Sequence, residues 1–147
     1  MAGIVESINT ILIRGDPNTV EYKDGSSGAL KPGDMCYISA LNVISEGAAP
    51  TGSTKMGIGV VGYEQANSTV KPATRATAYA SGCPAIPVLL GCGQILMASV
   101  TDVTESMPLT GQTSAGELVQ GVLGANHIYA LALKTKVGTG LAPIKLL

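Results

Sequence analysis

The sequence holds few residues whose type and spacing suit chemistry. Its one histidine, His127, precedes Ile128 and has no carboxylate close to it in the sequence. A lone histidine at the start of a strand is typical of a structural or surface residue. A G-x-S-x-G nucleophile motif is lacking, and the carboxylates occur singly rather than as an acidic cluster for Mg²⁺ or Ca²⁺. The sequence therefore predicts no catalytic residue, no metal site and no enzyme activity.

Three short motifs resemble binding signatures but favour simpler interpretations. The Gly-x-Gly pairs at 57–59 and 91–93 lack the third glycine and the following helix of a dinucleotide fingerprint, so they indicate close backbone packing and no cofactor. Arg14-Gly15-Asp16 is followed by Pro17, which indicates a turn rather than an integrin ligand. The aspartate-rich and glycine-rich motifs of trimeric dUTP pyrophosphatases have no counterpart here.

The three cysteines, Cys36, Cys83 and Cys92, are odd in number and lack metal-binding spacing. They favour small buried thiols in a reducing compartment. The alternative is that Cys83 and Cys92 meet across a hairpin and pair.

Charge is unusually sparse in this chain of 147 residues. Only 13% of the residues are charged, about half the usual quarter for soluble domains. A monomer of this mass exposes roughly 7,000 Å², which leaves about one charge per 370 Å². A surface with so little charge indicates that other subunits cover part of it. The alternative is that Ser, Thr, Asn and Gly solvate the surface without charge.

Composition also bears on the partners. A net charge of −1 provides no basic field for nucleic acid or an anionic membrane. No run of 18 apolar residues is present, so we expect no membrane span. The first fifteen residues lack a basic region and contain Glu6, unlike a secretory signal. We therefore expect neither nucleic acid nor a membrane as a partner.

Residues 1–18 differ from the remainder, which we expect to form a single β domain over 19–147. The segment is apolar without a period of 2 or 3.6, and it ends in a turn cluster. It is either an extended arm that completes its burial on a neighbour or a first strand of its own domain. The residues expected to make the contact of such an arm are Ile4, Val5, Ile8, Ile11, Leu12 and Ile13.

The stretch from Tyr79 to Val103 dominates the predicted core. Its two apolar runs, Ala85–Leu90 and Gln94–Val100, are joined by Gly91-Cys92-Gly93. Short apolar runs bounded by Gly and Pro are typical of buried strands, and the glycines permit a tight connection. The sequence therefore predicts a central β-hairpin here.

The remaining segments also indicate strands. Pro32-Gly33 suits a type II turn, and the alternate glycines at 57 and 59 suggest close approach by another backbone. Segments 42–54 and 65–74 read as loops, whereas the segment after Ser114 favours a strand over a helical turn. The other expected strands are Thr19–Tyr22, Met35–Ala40, Lys55–Tyr63, Arg75–Ala80 and His127–Lys134, and 137–147 is an apolar tail. The prediction is an all-β fold, a compact β-barrel or β-sandwich-like domain of eight to ten short strands with an extended N-terminal arm.

The order of segments resembles the head decoration, or capsid cement, proteins of tailed bacteriophages and related viruses. The resemblance covers roughly residues 19–135 and rests on the Lys31-Pro32-Gly33-Asp34 turn, the Arg75–Val100 segment and the closing Tyr129–Leu133 stretch. The chain departs from the family pattern at Gly93-Gln94, where Gly-Asp is common. The resemblance implies a β-rich subunit, commonly a trimer, on the outside of the expanded head.

That resemblance implies binding to the major capsid protein, self-association as a homotrimer, synthesis in the host cytoplasm and location on the outer surface of the virion. The arm would reach onto the shell. Two alternatives stay open: a tail-tube or other ring-forming virion protein, and a small β-barrel enzyme or ligand-binding module. The latter needs a concave pocket with convergent polar groups.

Overall fold

The structure, a computed structural model, describes residues 11–15, 19–63, 71–72, 74 and 76–147. These residues form eleven β-strands and no helix, so the predicted all-β fold is confirmed, with one strand more than the expected maximum. The strands are β1 (Leu12–Arg14), β2 (Thr19–Asp24), β3 (Met35–Ala40), β4 (Val43–Glu46), β5 (Gly57–Val61), β6 (Ile86–Leu89), β7 (Ile95–Val103), β8 (Pro108–Gln112), β9 (Ala115–Gln120), β10 (Ala130–Ala132) and β11 (Lys136–Leu146).

Strands β2 to β6 close into a small barrel, here called the N-terminal barrel, in the order β2-β4-β3-β5-β6. Its pairs are antiparallel except for β2 with β4. Small and branched side chains and the ring of Tyr79 fill the interior. They are Leu30, Cys36, Ile44, Val61, Tyr79, Cys83, Ile86 and Val88.

Strands β7 to β11 form a second small barrel, the C-terminal barrel. Its strands follow the order β7-β11-β10-β8-β9, and a parallel contact between Val100 and Leu118 brings β9 back to β7. The short strand β1 adds to β7, where Leu12 pairs with Leu96. The two barrels thus share one connectivity: in each, the first strand pairs with the third in parallel and with the fifth in antiparallel.

The predicted central hairpin is wrong. Strand β6 pairs with β2 and β5 in the N-terminal barrel, whereas β7 pairs with β1, β9 and β11. The connection at Gly91–Gly93 therefore passes from one barrel to the other. Both runs are apolar because each is buried in its own barrel, and closeness in sequence does not decide which strands pair.

Three other local predictions need correction. The expected loop over 42–54 contains β4, which follows β3 after the two residues Leu41 and Asn42. Residues 76–80 are not a strand, and Arg75 lies outside the described residues. Their alternation instead places Tyr79 in the barrel interior, where its hydroxyl donates to Gly62 O at 2.8 Å. The apolar tail is β11, the longest strand, because it spans the whole of β7.

Glycines bring the two barrels into backbone contact along what we call the seam. A Cβ atom built on Gly33 would lie 2.5 Å from Leu141 Cδ2, and one on Gly47 would lie 2.6 Å from Thr113 O. A Cβ on Gly111 would lie 2.5 Å from Ala48 Cβ, with Ala48 O closer still. One hydrophobic cluster runs across this seam and includes residues of both barrels.

The close backbone approach expected at the alternate glycines is confirmed at Gly59, whereas Gly57 packs against the side chains of Ala48 and Met35. A Cβ on Gly59 would collide with the carbonyl group of Leu89 in the neighbouring strand. The expectation of one domain over 19–147 stays a prediction.

Candidate functional site

A groove of about 460 Å³ opens at the seam. The turn Lys31–Asp34 forms one wall, and strands β7, β9 and β11 contribute the others. Gly33 has φ of 96°, and Asp34 N donates to Lys31 O at 3.1 Å, as the predicted type II turn requires. Ser99 N donates to Gly33 O at 2.8 Å, which fixes the turn against β7.

Asp34 is the most perturbed carboxyl group of the groove. It is only 4% exposed, and its Oδ2 accepts a hydrogen bond from Lys31 N at 3.0 Å. Burial raises the pKa of Asp34 to about 6, while hydrogen bonds from Lys31 N and the Ser99 side chain act against that rise. The negative charges of Glu117 and Glu46 raise this pKa further. Asp34 can therefore take up a proton in mildly acidic solution.

Glu46 shares this environment. Burial and the charge of Glu117 raise its pKa, and the positive charge of Lys31 acts in the opposite direction. Within the described part of the chain, no group of three or more His, Cys, Asp or Glu side chains is arranged to hold a metal ion. The carboxyl groups of Asp34 and Glu46 can therefore change the charge of this region with pH. Asp34 is held in place by hydrogen bonds from Lys31 N and from the Ser99 side chain.

His127 does not line this groove and instead contacts a neighbouring loop. His127 N donates to Pro50 O at 2.8 Å, and its Nε2 contacts Gly52 O. The ring lies 6.4 Å from that of Tyr129, whose hydroxyl donates to Ala49 O at 2.7 Å. These contacts join the loop before β10 to the loop after β4, which is a structural use of His127.

Exposed apolar side chains form the other candidate interaction surface. Leu41 stands at the tip of the β3–β4 hairpin and is 88% exposed, and Leu123 in the loop after β9 is 73% exposed. Among the residues that the structure describes, the exposed large apolar side chains are Val20, Ile38, Leu41, Met56, Val122, Leu123, Val137 and Leu147. Side chains of this kind on projecting hairpins and loops suit contact with another protein.

The predicted arm residues divide into two groups. Ile4, Val5 and Ile8 lie outside the described residues. Ile11 is 3% exposed and its carbonyl accepts a hydrogen bond from Met97 N at 2.7 Å, while the half-buried Leu12 and Ile13 pack against the same core. The described end of this segment is thus an edge strand of the C-terminal barrel, and the capsid contact stays a prediction.

The cysteines are all free, so the alternative of a Cys83–Cys92 disulfide is wrong. Cys36 and Cys83 are buried in the N-terminal barrel, and burial raises the pKa of Cys36. Cys92 is exposed in the connection between the barrels. The buried pair confirms the expectation of small core thiols for two of the three cysteines.

We expect a thiol reagent such as a maleimide to label one cysteine per native chain and all three after unfolding. Only Cys92 is accessible, since Cys36 and Cys83 are buried, and the raised pKa of Cys36 further limits its thiolate. Intact-protein mass spectrometry over time measures the number of labels. The Cys92→Ser variant is the control and should take up no label while folded. Rapid labelling of two or more sites in the native wild type would contradict this expectation.

Sequence reasoning placed Asp34 in a turn but missed its burial. The only signal available was a carboxyl group immediately after Pro-Gly and before the apolar strand Met35–Ala40, and that position alone does not determine burial. The exposed apolar hairpin tip is also not predicted, because the sequence pattern places Leu41 in neither a strand nor a loop. In the part of the chain that the structure describes, no helix is long and apolar enough to cross a bilayer.

Neither a scan against protein-family models nor a search of curated proteins found a match for this chain.

Proposed function

We propose that this chain is a virion structural protein, a capsid decoration or cement subunit that binds the outside of an assembled icosahedral head. The observation that carries the proposal is a sparsely charged surface bearing exposed apolar side chains on projecting loops. The confirmed all-β fold is the one that the family resemblance implies.

The exposed surface area gives a value for the density of charge on the surface. The chain exposes 7159 Å² and has nine basic and ten acidic residues, or roughly one charge per 380 Å². Average soluble composition would place about one charge on every 190 Å² of the same area. Leu41 and Leu123 meanwhile project into solvent. Such a surface is suited to burial against protein partners.

The proposed partners are the major capsid protein and other copies of this chain, arranged as a homotrimer on the outer surface of the virion after synthesis in the host cytoplasm. The mechanism is mass action: a subunit that binds only the assembled, expanded shell stabilises that shell by its binding free energy. Many symmetric copies add small contributions. The proposed role requires no turnover of a small molecule.

The direct test is binding to expanded heads from the source virus that lack this protein. Purified chain is mixed with expanded heads or with unexpanded procapsids, and bound protein is quantified after sedimentation. We expect saturable binding to expanded heads and a rise in their thermal disruption temperature, with weaker binding to procapsids. A folded protein that ignores both kinds of particle would contradict the proposal.

The same assay tests the arm. Deletion of residues 1–10 leaves Ile11 and β1 in place, so the contacts that these residues make with the C-terminal barrel are retained. We expect weaker head binding with little change in unfolding temperature. Equal binding by the shortened chain would remove residues 1–10 from the proposed contact.

A ring-forming virion protein, such as a tail-tube subunit, is the second candidate. The observation that favours it is the repeated connectivity of the two barrels, since repeated units suit rings with many similar contacts. Negative-stain microscopy separates the candidates: a tube subunit should form stacked rings, and a cement subunit should form isolated oligomers.

A further inference from the structure

The two barrels share equivalent backbone contacts at several positions. In the N-terminal barrel, Gly33 N donates to Val61 O at 2.7 Å; in the C-terminal barrel, Ser106 N donates to Ala132 O at 2.8 Å. Both donors have a left-handed backbone, with φ of 96° at Gly33 and 69° at Ser106. Each stands in the turn just before the second strand of its barrel, so the two turns are equivalent.

The end of the third strand repeats in the same way. Gly47 N donates to Met35 O at 2.9 Å, and Gly121 N donates to Pro108 O at 2.8 Å. Each glycine directly follows the third strand of its barrel, and each acceptor begins the second strand. Gly47 is therefore equivalent to Gly121.

The fifth strands also agree in register. Pro87 pairs with Glu21 in the first strand of the N-terminal barrel, and Pro143 pairs with Met97 in the first strand of the C-terminal barrel. In the second strands, Cys36 pairs with Glu46 and Leu109 with Gln120. Counting two residues on from Cys36 and Leu109 makes Ile38 equivalent to Gly111.

Within the chain, the seam joins two different faces. The N-terminal barrel contributes the residues that follow its third strand, Gly47–Ala49, which we call an exit face. The C-terminal barrel contributes the end of its second strand and the turn after it, Gly111–Thr113, which we call a hairpin face. Ala48 N donates to Gln112 O at 2.9 Å across this contact, and Ala48 and Ala49 are 0% and 5% exposed. The contact is therefore heterologous.

Each barrel retains the other kind of face uncovered. The free hairpin face of the N-terminal barrel, residues 38–42, includes Ile38 and Leu41, which are 50% and 88% exposed. The free exit face of the C-terminal barrel, residues 121–123, includes Val122 and Leu123, which are 62% and 73% exposed and equivalent to the buried Ala48 and Ala49. Neither face carries a charged residue. Among the described residues, the exposed apolar side chains Ile38, Val122 and Leu123 thus occupy positions that repeat the in-chain seam, and Leu41 lies beside them at the hairpin tip.

We propose that the free hairpin face of one copy docks on the free exit face of the next, so that a second copy of this chain joins the same two kinds of face as the seam does. The hydrogen bond of the seam is not repeated, because Val122 N, the equivalent of Ala48 N, already donates to Asn126 Oδ1 at 2.8 Å. A heterologous contact of this kind joins subunits head to tail and produces a closed ring or an open filament. Larger side chains replace the Gly and Ala of the seam, so this contact consists of apolar side-chain packing and holds the backbones farther apart.

This proposal stands independently of attachment to a head. If three chains close into a ring, as in the proposed trimer, that ring contains six barrels of the same connectivity. Failure of head binding would leave head-to-tail assembly intact, whereas failure of the assembly test would leave head binding to be measured separately.

The test uses two variants that each damage one face. We expect wild-type protein at micromolar concentration to form a ring of three or more chains, or a filament, by size-exclusion chromatography with light scattering. Leu41→Glu and Leu123→Glu should each be a folded monomer, because a charge buried in an apolar contact is costly. When mixed, they should form a 1:1 complex of two chains and nothing larger, since one intact contact remains.

Val137→Glu is the matched control. Val137 is 85% exposed in β11 and belongs to neither face, so this variant should assemble as the wild type does. Circular dichroism checks that all variants are folded. A wild-type monomer, a symmetric dimer of two chains, assembly of either single variant alone, or the absence of a complex after mixing would each overturn the proposal.

Discussion

Replacement of Gly111 by Ala is expected to lower the free energy of unfolding by about 3 kcal/mol, at the upper end of what overpacking costs. The added methyl group would lie 2.5 Å from Ala48 Cβ and collide with Ala48 O. Gly111 does not require a left-handed backbone, so the penalty is purely steric. The backbone opposite cannot easily retreat, because Ala48 N is hydrogen-bonded to Gln112 O at 2.9 Å.

Gly62→Ala is the matched control for this prediction. A Cβ on Gly62 would meet Pro87 at 3.5 Å, which is an ordinary contact, and its backbone is not left-handed. We expect this variant to change the free energy of unfolding by less than about 1 kcal/mol. Urea unfolding followed by circular dichroism measures both variants. Equal stability of Gly111→Ala and Gly62→Ala would mean that the seam is loose.

The same measurement tests the prediction of one domain over residues 19–147. Because one hydrophobic cluster contains residues from both barrels, we expect a single unfolding transition in the wild type. Two separate transitions would show that the barrels unfold independently. In that case, Gly111→Ala should separate them further by weakening the seam.

Replacement of Asp34 by Asn is expected to remove a pH dependence from the stability of the fold. Burial raises the pKa of Asp34 from 3.8 to about 6, so the folded state binds the proton more tightly than the unfolded state does. Stability from this group is therefore complete below about pH 4 and is lost as the pH rises to about 6. A shift of this size corresponds to about 3 kcal/mol.

Urea unfolding of wild type and Asp34→Asn at several values between pH 4 and 7 measures this effect. The free energy of unfolding of the wild type minus that of the variant should fall as the pH rises across that window, and it should stay constant above it. The amide oxygen of Asn can still accept the hydrogen bond from Lys31 N. Glu105→Gln, at an exposed position, is the control and should run parallel to the wild type. Parallel curves for Asp34→Asn and wild type would show that Asp34 is not the source of the dependence.

Several local features were predictable from the sequence because short-range chemistry determines them. Met35–Ala40 alternates and is flanked by turn residues, and β3 has those bounds. Pro32-Gly33 permits little besides a type II turn, and Gly33 has the positive φ that this turn requires. The glycine at 59 signalled close backbone approach because no other residue tolerates it.

The repeat was present in the sequence but difficult to see. Residues 85–90 read AIPVLL and residues 141–146 read LAPIKL, with the prolines in equivalent positions. The distance from the fourth to the fifth strand differs greatly, however, since Val61 and Ile86 are far apart in sequence while Ala132 and Lys136 are close. A fixed period is therefore absent, and only the register of the strand pairs reveals the match.

The sequence by itself determined that the chain is all-β, where most strands lie, and that its surface is poor in charge. Only the tertiary structure decided that β6 and β7 belong to different barrels, that Asp34 is buried, and that two apolar faces are left uncovered. The physical reason is that strand formation responds to local side-chain pattern and turn chemistry. Strand pairing depends on which distant segments close a barrel, and many pairings satisfy the same local pattern.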